Sequence, residues 1–299
     1  MRVVLTPAEW LPRRDRHRNR VTALLGGYLR QRGEGRSNPV IDFLFTYYNV
    51  TAGQLRRWHP GFGVTLTGPE SRHYAKLRGY GQTDSGVTVR PDHLTQRRGT
   101  VEYVGRLMAA TASRPANLGC LGMHEWAMVY KADPEELRHG VPLRLGRDGT
   151  DEVVESVPLR CSHFDAFRFF SAAAAPRNAG SLSRATQQDW EQPGCLHANM
   201  DLYKWSYKLS PLIDSELVLD CLELAGAARE IDMRASPYDL SDYGYTPIAV
   251  EDAAGRAEYV RCQKAIATRA EPLRAALLAW CDLLLQAAGY RSSGCWPVG

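Results

Sequence analysis

The sequence predicts a mainly α (α+β) protein: a single α-rich domain with a few short strands and three C-terminal helices. Helical periodicity dominates the C-terminal third, and period-two alternation is confined to short stretches. At 299 residues and 44% hydrophobic content the chain can also bury a sizeable core without cross-links.

In chain order, Asp15 to Arg32 reads as an amphipathic helix, with Val21, Leu24, Tyr28 and Leu29 at helical spacing. Ser37 followed by Asn38-Pro39 is a helix-start signal, and Pro39 to Tyr48 is the most apolar stretch of the chain. Gly63–Thr67 and Val87–Arg90 alternate apolar and polar residues and read as short strands. Pro91-Asp92 opens a helix to about Ala112. Gly119 to Tyr130 gathers two glycines, His124, Glu125 and Trp126, and Val141 to His163 reads as extended structure around a polar turn at Arg147–Thr150. Helices follow at Ala198–Leu209, Pro211–Met233 and Ala257–Ala287. The last carries Ile266, Ala270, Leu273, Leu277, Trp280 and Leu284 at spacings of three and four, a seam built for burial. The resulting organisation is a basic N-terminal helix or loosely attached arm (1–37), an α-rich catalytic domain (38–290) and a tail (291–299).

No apolar run reaches the roughly 20 residues that span a bilayer, and the N-terminus lacks a signal-peptide layout. The 7 cysteines are scattered without CxxC spacing, as expected of reduced thiols. The expectation is a cytoplasmic protein with no membrane partner. Net charge is +4, but residues 1–106 hold 18 Lys+Arg against 8 Asp+Glu, with the densest run at Arg13, Arg14, Arg16, Arg18 and Arg20. Such a surface can gather DNA or another anionic ligand; its plainer reading is a solvated helix face.

Three segments set a histidine beside a carboxylate among apolar residues: Gly122-Met-His-Glu-Trp126, Ser162-His-Phe-Asp-Ala-Phe167 and Leu196-His-Ala-Asn-Met-Asp201. His197 and Asp201 are four apart on a helix and share a face, which Lys204 and Lys208 continue. An imidazole and a carboxylate held together make a general base or a metal-ligand pair. His163 and Asp165 would share a side if their segment is a strand, whereas His124 and Glu125 cannot both face one site in a regular element. Each histidine taken alone is more often a hydrogen-bonded core residue; three together favour a site. His124, His163 and His197 are therefore candidate metal ligands, for iron or zinc.

Asp42, set in Val40-Ile-Asp-Phe-Leu-Phe45, is a further candidate catalytic carboxylate, because apolar surroundings would raise its pKa. A salt bridge to one of the many arginines is the alternative. Tyr47 and Tyr48, with Trp58, Tyr74 and Tyr80, could stack on a flat ligand. Asp214, Glu216, Asp220, Glu223 and Glu230 read as a solvated acidic face. Asp232, Arg234 and Tyr238 could reach a pocket at a helix end. Walker, GxGxxG, HExxH and GxSxG signatures do not occur, which argues against nucleoside triphosphatases, dinucleotide oxidoreductases, zincins and α/β-hydrolases.

The stretches Asp42–Tyr48 (DFLFTYY), Leu55–Gly63 (LRRWHPGFG), Gln192–Trp205 (QPGCLHANMDLYKW) and Asp232–Asp239 (DMRASPYD) resemble those of an actinobacterial family commonly labelled 3-methyladenine DNA glycosylase. The likeness runs from about Asn38 to Leu285. It implies hydrolysis of the N-glycosidic bond of an alkylated purine, without a cofactor. The base would be extruded from DNA and stacked on aromatics, and one carboxylate would activate water. On that reading Asp42, Glu125 or Asp201 is the carboxylate, His163 and His197 assist, and Tyr47, Tyr48, Trp126, Lys204, Arg234 and Tyr238 hold substrate. The residues also fit a metal-dependent enzyme acting on a small molecule, with the histidines and Glu125, Asp165 or Asp201 around iron or zinc. A non-catalytic nucleic-acid-binding protein is a third reading.

Overall fold

Thr6 opens the first long helix of the computed structural model, which describes residues 3–132 and 140–289. Its backbone N–H and hydroxyl both reach Glu9 Oε2 at 2.8 Å, and Pro7 takes the first helical position, where no N–H is needed. The helix, α1 (Pro7–Gly33), begins eight residues before the periodic stretch suggests. Its buried stripe is Trp10, His17, Val21, Leu25 and Tyr28, while Leu24 and Leu29 face outward, contrary to the expected stripe. Trp10 is fully buried, stacks on Trp58 at 6.4 Å and meets Tyr74 edge-on at 5.9 Å. The Trp58–Tyr74–Tyr80 aromatics are thus core around Trp10, with no flat ligand face.

The basic helix is docked, not a loose arm. Arg20 reaches Glu216 at 2.9 Å, Asp220 at 2.5 Å and Glu223 at 2.7 Å. The acidic stripe read as solvated therefore serves as the seat for α1. His17 adds a buried contact, with Nδ1 on Glu216 and Nε2 on the Leu55 carbonyl, each at 2.8 Å.

A small sheet follows in the order β1-β2-β4-β3, with β1 (Val3–Leu5) parallel to β2 (Val64–Leu66) and antiparallel pairing of β2 with β4 and β4 with β3. Strands β3 (Tyr80–Thr83) and β4 (Gly86–Val89) form a hairpin. Between β1 and the sheet's remaining strands lie α2 (Asp42–Thr46) and α3 (Ala52–Leu55).

The main body is helical, and no described helix is long and apolar enough to cross a membrane. Helix makes up 60% of the described residues and strand 7%, which places the chain in the mainly α class. Helix α4 (Pro91–Ala112) packs against α11 (Ala253–Ala287), which also contacts α9 (Leu196–Leu209) and α10 (Ser215–Arg234). Asp214 and Asp252 cap α10 and α11 by accepting from the Glu216 and Gly255 N–H groups. Gly255 is obligatory, since a Cβ there would lie 1.9 Å from the Ala249 carbonyl oxygen. On α11, Ile266, Ala270, Leu277 and Leu284 are buried as the seam predicts, with Leu273 and Trp280 at its margin. Each fully buried Ile or Leu of this seam contributes roughly 1.5–3 kcal/mol.

Between these lie α5 (Met123–Val129), α6 (Gly146–Ser156), α7 (Phe164–Phe167) and α8 (Gln187–Trp190). Helix α6 overturns the extended reading of Val141–His163. Thr150, Val153 and Val154 form a buried stripe at helical spacing, and the polar run Arg147–Thr150 is the first turn of the helix. The proposed tail at 291–299 lies outside the described residues.

Candidate functional site

The three histidines come together. Ring centroids of His124 and His197 are 4.2 Å apart and those of His163 and His197 are 5.4 Å apart. His124 is delivered by α5, whose start depends on Gly122 at φ 71°, with Tyr259 only 3.2 Å from where a Cβ would be. His163 is the extended residue before α7, and His197 lies in the first turn of α9.

Around them are two neighbouring triads, His124–His197–Asp232 and His163–Glu191–Asp201, each with donor atoms within 4.8 Å of one another. In the first, His124 Nε2 lies 2.7 Å from Asp232 Oδ1 and His197 Nε2 lies 3.9 Å from Asp232 Oδ2. The close pair is not aligned as a hydrogen bond, and both atoms are buried without any hydrogen-bond partner. Asp232 Oδ2 is occupied by Arg229 Nη1 at 2.9 Å, and the same nitrogen donates to Glu125 Oε1 at 2.7 Å. Of the three donor residues, His197 alone is partly exposed, its side chain at 12%.

Placement of Arg229 and Asp232 three apart on α10 corrects one expectation. His124 and Glu125 are both buried and both face this site, because one turn of α10 carries a partner for each. Adjacent helical side chains diverge by about 100°, and Asp232 and Arg229, one turn apart, span that angle.

In the second triad the facing atoms pair with one another, while His163 Nδ1 is buried without a hydrogen-bond partner. His163 Nε2 lies 3.2 Å from Asp201 Oδ2 and 3.4 Å from Glu191 Oε1. Lys204 Nζ donates to Asp201 Oδ2 and to Asp165 Oδ2, both at 2.7 Å. Arg184 completes Asp165 at 2.5 Å, and Gln187 donates to Glu191 at 2.5 Å. His163 and Asp165 lie on no strand, yet both point at α9, where Asp201 and Lys204 receive them.

The electrostatics follow from burial opposed by close partners. Burial disfavours the His124 imidazolium, but Asp232 outweighs it and holds that pKa well above the ordinary value. His197 is pushed well below, first by burial and then by His124. Burial would raise Asp232, yet His124, His197 and Arg229 hold it far down. Asp201 is likewise depressed by Lys204 and His163 against burial, whereas burial raises Glu191. Lys204 rises despite burial, through Asp201 and Asp165. Burial, then Asp201, keeps the Tyr48 phenol well above 10. Near neutrality Tyr48 and Lys204 are protonated donors facing an ionised Asp201.

Tyr48 donates to Asp201 Oδ1 at 3.1 Å, and with Tyr47, Val50, Arg168, Lys204 and Lys208 it lines a cleft of about 220 Å³. Other candidates lie elsewhere. Asp42 is 24% exposed, accepts from the Asn38 N–H at 3.0 Å and faces Arg32 at 3.9 Å, so it braces a turn outside the triads, with its Oδ1 buried and lacking a hydrogen-bond partner. Trp126 is fully buried and donates to the Ala235 carbonyl at 2.8 Å, leaving no ring face for a ligand. Arg234 ties the end of α10 to the Thr246 carbonyl and Glu258, and Tyr238 is buried in a small cluster with Val40, Val129 and Met233. Neither joins the triads; from that segment Asp232 does.

Glu191 and Arg229 went unread in the sequence, and Asp232 was read for a pocket at the helix end, not for the histidines. The available signal for α10 was two charges three apart, Arg229 and Asp232, inside a helix otherwise buried through apolar residues. No protein-family model, curated protein or solved structure matches the chain.

Proposed function

We propose that the chain is a metal-dependent enzyme acting on a small anionic molecule, with His124 Nε2, His197 Nε2 and Asp232 Oδ1 as ligands for an iron or zinc ion. The observation that carries this reading is the buried cluster of His124, His197 and Asp232, in which His124 Nε2 and Asp232 Oδ1 lie 2.7 Å apart with no other partner. Without a metal these atoms have only each other, as an imidazolium–carboxylate pair; a shared cation would take the place of the proton between them. Ligands about 2 Å from one ion stand roughly 3 Å from each other, and two histidines with one carboxylate suit non-haem iron or catalytic zinc. Arg229 on Asp232 Oδ2 and Cys120 Sγ at 3.9 Å from His124 Nδ1 would orient those ligands. The second triad is the poorer host, because the Lys204 ammonium already sits on Asp201.

Such an ion supplies Lewis-acid or redox chemistry when bound. The chain's own groups bind and orient. Arg168, Arg184, Lys204 and Lys208 line the adjoining cleft together with Asp165, which pairs with the first three, and the net positive balance favours an acidic group of the substrate there. Tyr48 and Lys204 present protons beside Asp201, which stays ionised and anchors both. Calorimetric titration of chelator-treated protein with zinc or cobalt tests the site. One ion per chain is expected, with uptake lost in Asp232→Asn and His197→Ala and kept in Glu191→Gln. Uptake indifferent to Asp232 and His197 refutes it.

A second reading is N-glycosidic hydrolysis of an alkylated purine, as in the family the sequence resembles. It is favoured by Asp201, an ionised carboxylate bonded to Tyr48 beside the Tyr47–Tyr48 cleft; Glu125 is committed to Arg229. Release of 3-methyladenine from alkylated DNA, insensitive to chelators and abolished in Asp201→Asn, would establish it over the first.

A further inference from the structure

A larger cleft, about 350 Å³, opens where α1, α4, α9 and α10 meet the loops after α3 and before β3. It shares Tyr207 and Lys208 with the Tyr47–Tyr48 cleft, but none of the two triads' residues. Its wall carries Arg57, Arg78, Arg97 and Lys208 and, among the described residues, no carboxylate. None of these four cations has an ion-pair partner among the described residues; Arg97 donates to the Lys208 carbonyl at 2.6 Å. Leu55, Leu77, Val218 and Leu219 form an apolar floor.

Behind the cations, His93 is 4% exposed and its Nε2 makes no hydrogen bond. Gly79 at φ 90° lets that ring sit where any Cβ would lie 2.7 Å from it. A buried polar atom left unsatisfied costs free energy unless a ligand completes it. The cleft's volume lies within the range of small-molecule sites, roughly 300–1,000 Å³.

We propose that this cleft is a second ligand site, which binds a small organic phosphate through Arg57, Arg78, Arg97 and Lys208. A lone carboxylate would leave most of that positive charge uncompensated, whereas a phosphate or diphosphate matches both the charge and the forked geometry of arginine. The apolar floor receives the organic part, and His93 Nε2 gains a partner. The local titration pattern agrees. Burial, then Arg97 and Arg78, lowers His93; burial, then Arg78, lowers Arg97; burial, then Lys204 and Arg184, lowers Lys208. Arg78 and Arg97 thus mark a positive potential that an anion relieves, to which Lys204 and Arg184 of the neighbouring cleft add at Lys208. This inference does not rest on the metal reading.

Inorganic pyrophosphate, titrated into the full chain by calorimetry in metal-free buffer, tests it. Saturable binding is expected, weakened about tenfold by Arg57→Ala and again by Arg78→Ala, both exposed side chains whose loss should leave the thermal midpoint unchanged. Arg168→Ala, in the other cleft, should leave the affinity as it was. Absent binding, binding indifferent to Arg57 and Arg78, binding lost in Arg168→Ala, or binding of duplex DNA alone would each overturn the proposal.

Discussion

Replacing Arg229 by methionine isolates the electrostatic keystone of the site. Its guanidinium is 1% exposed and joins Glu125 at 2.7 Å to Asp232 at 2.9 Å, with the Phe43 ring 4.1 Å from Cζ. Methionine keeps much of the stem's packing but strands two buried carboxylates. Breaking a buried ion pair from one side costs about 3–5 kcal/mol, and a loss of that size lowers the melting midpoint of a domain this large by roughly 10 °C. The double variant Arg229→Met/Glu125→Gln removes one stranded charge and should recover about half of the loss. Urea unfolding of chelator-treated protein, followed by circular dichroism, reads both. Metal-loaded protein should lose less, because a bound cation compensates Asp232 and stabilises the fold by mass action. A single-variant loss under about 1 kcal/mol would refute the argument that Arg229 is what makes the buried acids tolerable.

Two other outcomes follow from the contacts. Arg20→Ala should cost only about 1 kcal/mol, because Glu216, Asp220 and Glu223 are each about 40% exposed and solvent screens the network; the cost should shrink in high salt, and a salt-independent loss in chemical denaturation would argue against it. His59 is held neutral by burial, then by His17 and Arg57, with its pKa lowered to about 4. Its depressed folded pKa means that the unfolded chain binds the extra proton, so its contribution is complete above pH 6.5 and declines as pH falls toward 4. The loss is up to about 3 kcal/mol. His59→Gln should flatten that part of the stability profile, and an unchanged slope would count against it.

How much of this was legible in the sequence depends on the range of the signal. Helix α4 follows the predicted span because Pro91 fixes its first turn and its periodicity is local. The three histidines were legible because each stands beside an acid in an apolar stretch. Their partners were harder to see. Asp232 meets His124 across 108 positions of chain and Arg229 meets Glu125 across 104, and no periodicity reports a pairing at that distance. Asp42 stands outside the triads and only partly buried despite five apolar neighbours in sequence, because α2 is only 5 residues long and puts its first residue on a turn. The extended reading of Val141–His163 failed because the polar run Arg147–Thr150, a turn signal in isolation, is also a serviceable first helical turn.

The central claim concerns what lies between His124, His197 and Asp232. Elemental analysis of protein purified without added metal, beside Asp232→Asn and Glu191→Gln prepared identically, tests it directly. Near one equivalent of iron or zinc is expected in the parent and in Glu191→Gln, and little in Asp232→Asn. Equal metal in all three, or a parent that takes up none even after incubation with iron or zinc, would contradict it.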